Sequence, residues 1–361
     1  MFENVIKTMD SFLEQGLPGY DCIVFYDGKE IFRHWNGYSD KENQIAMSGK
    51  ERINIYSCSK VITCTAALQL WEKGVFSLAD KLSDYLPEFT NMMIKTEEGL
   101  KKTDKPILIK HLFEMTAGFS YNVSSPQILK CYEDTNGKCP TRELVRYLAK
   151  EPLLFEPGDR WEYSLCHDVL AALVEAVSGT RFSEYVKEHI FDVLGMNSST
   201  YCLPECEINE IAEQYRYETT SKEVKNVGKH ILYYKLGSEY ESGGAGCIST
   251  LEDYILFLEA LREGEKLLKR STVELMSTNR LTEHQLLTFD EKDGYGYGLG
   301  VRCKKENNSV TDFGWGGAAG AYLVVDIPNK ISVFYAQHMH GSQYDRSVIY
   351  VEVLKTINNY L

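Results

Sequence analysis

No stretch of this 361-residue chain approaches the roughly 20 consecutive apolar residues that a membrane-spanning helix needs. Low-complexity tracts and internal repeats are also missing, which excludes collagen-like, linker-rich and solenoid architectures. Positive charge is in short supply: 39 Lys and Arg face 52 Asp and Glu, for a net charge of -13. Such a balance argues against nucleic acid and anionic membrane surfaces as partners. The first residues, MFENVIKTMDSFLEQGLPG, carry Glu3, Lys7, Asp10 and Glu14 at intervals that interrupt any signal-peptide core. They read as an amphipathic helix. Export by that route is not expected, and a cytoplasmic location is.

Ten cysteines are present but none forms a C-x-x-C pair. Cys202 and Cys206 stand four apart with no histidine to complete a zinc set. Free thiols packed as small core residues are therefore expected, with no metal or organic cofactor. Hydrophobic residues make up 43% of the chain, enough for a large core in one big domain or two.

Ser57-Cys58-Ser59-Lys60 opens a helical run, SCSKVITCTAALQLWEK, that Gly74 closes. A serine and a lysine three apart share a helix face, so the ammonium can reach the hydroxyl. A serine becomes a nucleophile when a base within hydrogen-bond reach takes its proton. At the helix start, free backbone N–H groups also favour developing negative charge. A second reading stands beside this one, with Ser57 an ordinary N-cap and Lys60 a solvated charge. Cys58 is rotated about 100° away from Ser57 on the helix and reads as packing.

Two further segments carry possible chemistry. Tyr163 lies in the connection between Glu156-Pro157-Gly158 and a capped helix from Asp168 to Ser178. A phenol beside a positive charge can serve as a general base, and core packing is the plainer alternative. Asp312-Phe313-Gly314-Trp315-Gly316-Gly317-Ala318-Ala319-Gly320 matches G-x-G-x-x-A, but a strand pattern, Ala321 to Ile327, follows it instead of a helix. That excludes a dinucleotide loop. A loop that brings the Ala318 amide close to a ligand carbonyl remains, as does a simple β-turn. His111 reads as a core histidine and His167 as packing at a helix start, whereas His338 and His340 follow the last strand.

The wider pattern begins with strands, a β-hairpin on Asp27-Gly28. Helical and loop signals run from about Leu78 to Asn226, and a strand-rich pattern resumes at Leu232. Ile331–Gln337 reads as a buried strand and residues 347–361 as a closing helix. The expected fold class is α/β (α+β): an antiparallel sheet flanked by helices and built from both termini, with an inserted, mostly helical lobe. The expected boundaries are 1–85 and 230–361 for the α/β domain and 86–229 for the lobe.

With these motifs in order, the chain resembles the β-lactamase-related serine hydrolases: class C β-lactamases, DD-peptidases and β-lactamase-fold esterases. Ser57-x-x-Lys60 matches their nucleophile motif. Leu68–Gly74, Leu86–Phe89, Ile109–Gly118 and Gly243–Thr250 are similar to further family stretches. The resemblance implies Ser57 as acylated nucleophile, Lys60 as its activating partner, Tyr163 as the tyrosine of Y-x-N, and an oxyanion hole from the amides of Ser57 and Ala318. Leu165 replaces the asparagine of Y-x-N and cannot bond a substrate amide. Trp315-Gly316-Gly317 stands where the family's K-T-G would be and resembles the esterase branch. Leu165, Trp315, Gly316 and Gly317 are the expected substrate contacts. The function implied is carboxylic ester cleavage through an acyl-enzyme on a small-molecule ester or amide. A DD-peptidase, aminopeptidase, amidase or weak β-lactamase is one alternative, and a non-catalytic ligand-binding protein on the same fold is another. The pattern carries no signal for oligomeric state.

Overall fold

The computed structural model describes residues 1–203, 205–229, 235–289, 294–304 and 312–360. Leu232 lies outside the described residues, as does the side chain of Cys206. The chain begins with helix α1 (Glu3–Glu14) and the hairpin strands β1 (Gly19–Tyr26) and β2 (Lys29–Asp40), followed by the short β3 (Ile45–Ala46). The hairpin turns on Asp27 and Gly28, whose φ values of 49° and 79° suit a tight turn between twisted strands.

After helix α2 (Ser59–Glu72), the middle of the chain contributes α3 (Cys166–Ser178) and α4 (Leu251–Glu263). Five strands then complete the sheet: β4 (Tyr295–Tyr297), β5 (Arg302–Lys304), β6 (Asp312–Gly316), β7 (Tyr322–Asp326) and β8 (Ile331–Gln337). Helix α5 (Ser347–Tyr360) closes the described chain. The sheet has eight strands in the order β4-β5-β6-β7-β8-β1-β2-β3, so its two halves come from opposite ends of the sequence. They join antiparallel at β1 and β8, where Ile23 faces Phe334 and Val24 faces Val333.

The period-two alternation of strands divides the core between the two faces. Cys22, Val24, Val333 and Tyr335 pack with Val5, Met9 and Phe12 of α1 and with Ile349 and Val353 of α5. Ile23, Phe334, Leu323 and Val325 face the other way, into the larger cluster with α2 and α4. Tyr254 of α4 stacks on Phe334 with ring centroids 4.3 Å apart.

Two stretches differ from the sequence pattern. After Leu232, where strands are expected, the chain forms α4 and the helices Arg270–Met276 and Glu283–Leu286. Thr250 caps α4 by accepting from the Asp253 amide at 3.2 Å, which starts the helix locally. Within the stretch expected to be mostly helical, two small hairpins form, Met93–Thr96 with Gly99–Lys102 and Gln214–Glu218 with Glu223–Gly228.

Helix α2 is buried on all sides from Ser59 to Leu68. A buried helix must satisfy its own polar groups. Thr63 donates to the Gly243 carbonyl at 2.7 Å, and the Ser59 hydroxyl accepts from the Cys247 amide at 3.0 Å. These bonds fix the glycine-rich Gly243–Gly246 stretch against the start of α2. Among the described residues, no helix is long and apolar enough to cross a membrane.

Candidate active site

Ser57 sits in a single 3₁₀ turn, Tyr56–Cys58, that runs straight into α2. It is not the N-cap of α2, a place held by Cys58, and its hydroxyl meets two other side chains. Lys60 Nζ donates to Ser57 Oγ at 3.1 Å, and the Tyr163 hydroxyl lies 2.5 Å from the same oxygen. Lys60 is fully buried, so the alternative of a solvated charge fails. Its second bond goes to the Gly244 carbonyl at 2.7 Å, and its ammonium stands 4.8 Å from the centre of the Tyr163 ring.

Tyr163 is held by its neighbours. Its ring lies parallel to that of Trp315 at 10°, with centroids 6.1 Å apart. Tyr121 meets it edge-on at 5.0 Å. The connection that carries it is pinned by the Glu162 amide on the Met115 carbonyl at 3.0 Å and the Trp161 amide on Thr288 Oγ1 at 3.1 Å.

Gly316, the last residue of β6, and Gly317 and Ala318 of the turn to β7 lie beside Ser57. A Cβ at Gly317 would lie 2.3 Å from the Ile55 carbonyl oxygen, so only glycine permits this approach. Ser57, Tyr163, Trp315, Gly316, Gly317 and Ala318 line one open cleft of about 560 Å³, together with Trp161, Thr288 and Arg346. Leu165 does not line it. It is 2% exposed, packs in the core, and its carbonyl accepts from the first amides of α3. Leucine at this place therefore adds no apolar surface to the cleft.

Several residues of the site escape the sequence patterns. Asp168, on the first turn of α3, accepts from Tyr240 Oη at 2.5 Å, Ser242 Oγ at 2.7 Å and the Gly244 amide at 3.3 Å. It thereby orients the carbonyl that holds Lys60. Gly244 is glycine because a Cβ would fall 2.6 Å from Asp168 Oδ2. Arg346, at the start of α5, brings a cation to the cleft although the K-T-G lysine is missing. Nothing local in the sequence marks Asp168 or Arg346, because each meets the site only through long-range folding.

The histidines take other roles. His167 is buried, and burial together with the Lys60 charge holds its pKa well below the usual imidazole range, so it is neutral. His111 accepts from the Leu108 amide at 3.1 Å as a core residue. His338 bonds the Glu213 carbonyl and His340 bonds Tyr56, and neither lines the cleft. Burial pushes the Cys58 thiol up to about 12, which leaves it unreactive beside Ser57.

A family model described as Beta-lactamase matches residues 2–354. Esterase EstB of Burkholderia gladioli is 26% identical over 356 residues, covering 89% of this chain and 86% of that protein. The solved structure of EstCE1, a hydrolase with promiscuous acyltransferase activity, superposes with a TM-score of 0.81 at 24% identity, over 98% of this chain and 97% of that one. The D-amino acid amidase from Ochrobactrum anthropi SV3, complexed with L-phenylalanine amide, gives 0.76 at 19% identity, over 99% of each chain. At these identities the two solved structures speak for a shared fold.

Proposed function

Because the chain belongs to the beta-lactamase family, we propose that it is a serine hydrolase that cleaves small carboxylic esters through an acyl-enzyme on Ser57. One observation carries this reading: a buried ammonium and a phenol from distant segments meet the same serine oxygen.

In this scheme Ser57 Oγ attacks the ester carbonyl while its proton passes to Tyr163 acting as a phenolate, with the Lys60 ammonium beside it balancing the charge. The ammonium stabilises negative charge on that phenol, so a proton moves without a free hydroxide. The tetrahedral oxyanion rests on the amides of Ser57 and Ala318. Removing one such donor typically costs roughly 10²–10³ in rate. Collapse breaks the bond to the alkoxide, which leaves with the proton from Tyr163. Water then enters, gives a proton to Tyr163 and attacks the acyl carbon; collapse breaks the bond to Ser57 Oγ, which takes that proton back from Tyr163 as the acid leaves.

The cleft walls support a small acyl group lying against aromatic rings, those of Trp161, Tyr163 and Trp315. The absent Y-x-N amide and K-T-G lysine favour ester over D-alanyl peptide substrates, and Arg346 leaves room for a substrate with an acidic or carbonyl tail. A cytoplasmic setting belongs to the same proposal. Its support is nine cysteines among the described residues standing as free thiols, eight of them buried.

The test compares wild type and Ser57→Ala on p-nitrophenyl butyrate, a D-amino-acid amide and nitrocefin. The scheme expects ester turnover to dominate and to vanish in the variant. Full turnover by Ser57→Ala would rule it out, and dominant amide or nitrocefin hydrolysis would move the protein to the amidase or β-lactamase alternative.

A further inference from the structure

The residue before Ser57 is an aromatic one in an unusual conformation. Tyr56 has φ of 48°, in the left-handed region that residues bearing a Cβ avoid. Such a conformation persists only where the surroundings over-determine it. Here they do. The Tyr56 ring is fully buried and packs between Ala245 and Ala319. Its hydroxyl meets Gln214 Oε1 and lies 2.9 Å from His340 Nε2, while the His340 ring stands edge-on at 4.7 Å.

The donors sort themselves. Gln214 Nε2 donates to the Lys229 carbonyl at 3.1 Å, which turns its Oε1 towards Tyr56. Tyr56 has one proton and gives it to that oxygen, so His340 donates through Nε2–H to the phenol oxygen. Gln214 and His340 belong to neighbouring parallel strands, paired at Met339 with Tyr215 and at His340 with Arg216.

The same short strand reaches the other side of the cleft. The Met339 amide donates to the Ala319 carbonyl at 3.0 Å, and Ala319 follows Ala318 directly. Gly317 meanwhile abuts the Ile55 carbonyl, one residue before Tyr56. One buried ring is therefore bonded through the chain to the Ser57 amide and packed on the residue after the Ala318 amide.

We propose that Tyr56 is a positioning residue: its wedged ring and doubly bonded hydroxyl set the spacing between the Ser57 and Ala318 amides that receive the oxyanion. This rests on the acyl-enzyme reading above. Oxyanion donors act on charge that develops only in the transition state, so a spacing error lowers kcat and spares KM. A misplacement of about 1 Å can cost roughly 10²-fold.

The test uses Tyr56→Phe, which keeps the ring, and Gln214→Met, which removes the hydroxyl's acceptor. Each is measured for kcat and KM on p-nitrophenyl butyrate and for inhibition by an alkyl trifluoromethyl ketone, whose tetrahedral adduct places an oxyanion in the same hole. The expected result is a kcat loss of roughly tenfold or more with KM within about twofold. The inhibition constant should rise by the factor that kcat/KM falls. If Tyr56→Phe does not fold, Gln214→Met decides the matter. Wild-type kcat and inhibition in a folded variant overturn the role of Tyr56 alone, as does a kcat loss with unchanged inhibition. A wild-type protein with neither ester turnover nor a fluorophosphonate adduct on Ser57 overturns the acyl-enzyme reading, and the role of Tyr56 with it.

Discussion

Replacing Lys60 by methionine separates catalysis from stability at this site. The ammonium is fully buried and gives one bond to Ser57 Oγ at 3.1 Å and one to the Gly244 carbonyl at 2.7 Å. Methionine has a similar length and fills the same space without charge. The lost assistance to proton transfer should lower kcat by roughly 10²–10⁴, or about 3–5 kcal/mol of barrier. Stability follows a different balance. The Gly244 carbonyl loses its donor, a cost of about 1–3 kcal/mol. Removing a buried charge recovers desolvation energy of comparable size. The two oppose each other, so the melting temperature should move by about 5 °C or less. The assays are kcat on p-nitrophenyl butyrate and thermal unfolding of the same preparation. A folded Lys60→Met with kcat near wild type would make the ammonium a structural group only and remove it from proton transfer.

Tyr163→Phe removes the hydroxyl 2.5 Å from Ser57 Oγ but keeps the ring on Trp315, so kcat should fall roughly 10²-fold or more while circular dichroism and melting stay near wild type. Asp168→Ala strips the acceptor from Tyr240, Ser242 and the Gly244 amide, and urea unfolding should show a loss of about 3 kcal/mol or more. Gly317→Ala places a methyl against the Ile55 carbonyl and must push the β6–β7 turn away from Ser57, so kcat should drop further than the melting point suggests. His111 is neutral in the fold because burial lowers its pKa to about 4. The unfolded chain takes up that proton near pH 6.5, so stability should fall as pH drops from about 6.5 towards 4, by about 3 kcal/mol in all. His111→Asn should lessen the slope of urea stability over that window, with His340 keeping its own contribution, and an unchanged slope would show that His111 contributes nothing.

What could be read in advance follows from the range of the interactions involved. Ser57 and Lys60 are three residues apart, so helix geometry alone sets their contact. The Asp27-Gly28 hairpin is equally local, and its positive φ values are what those residues favour. The site's other members converge over long separations. Asp168 reaches Gly244, Arg346 reaches the cleft beside the β6–β7 turn, and Tyr56 reaches His340, each across a long stretch of chain. Helix α2 misleads for the same reason. It reads as a helical run, but that it is enclosed on every side from Ser59 to Leu68, with Thr63 and Ser59 as internal anchors, depends on distant segments. Leu165 marks another limit. A residue type can be recognised as a departure from a motif, but whether the side chain faces the cleft or the core depends on where α3 begins. The small hairpins are hidden because Gly99–Lys102 is exposed along its length and carries no alternation of apolar residues.

The claim on which the account rests is that Ser57 Oγ forms a covalent bond with an acyl or phosphonyl group. Intact-protein mass spectrometry after incubation with a fluorophosphonate, followed by peptide mapping, tests it directly. The account predicts one adduct per chain, on Ser57, absent from Ser57→Ala and slowed in Lys60→Met. An unlabelled wild-type protein, or an adduct on any other residue, would contradict it.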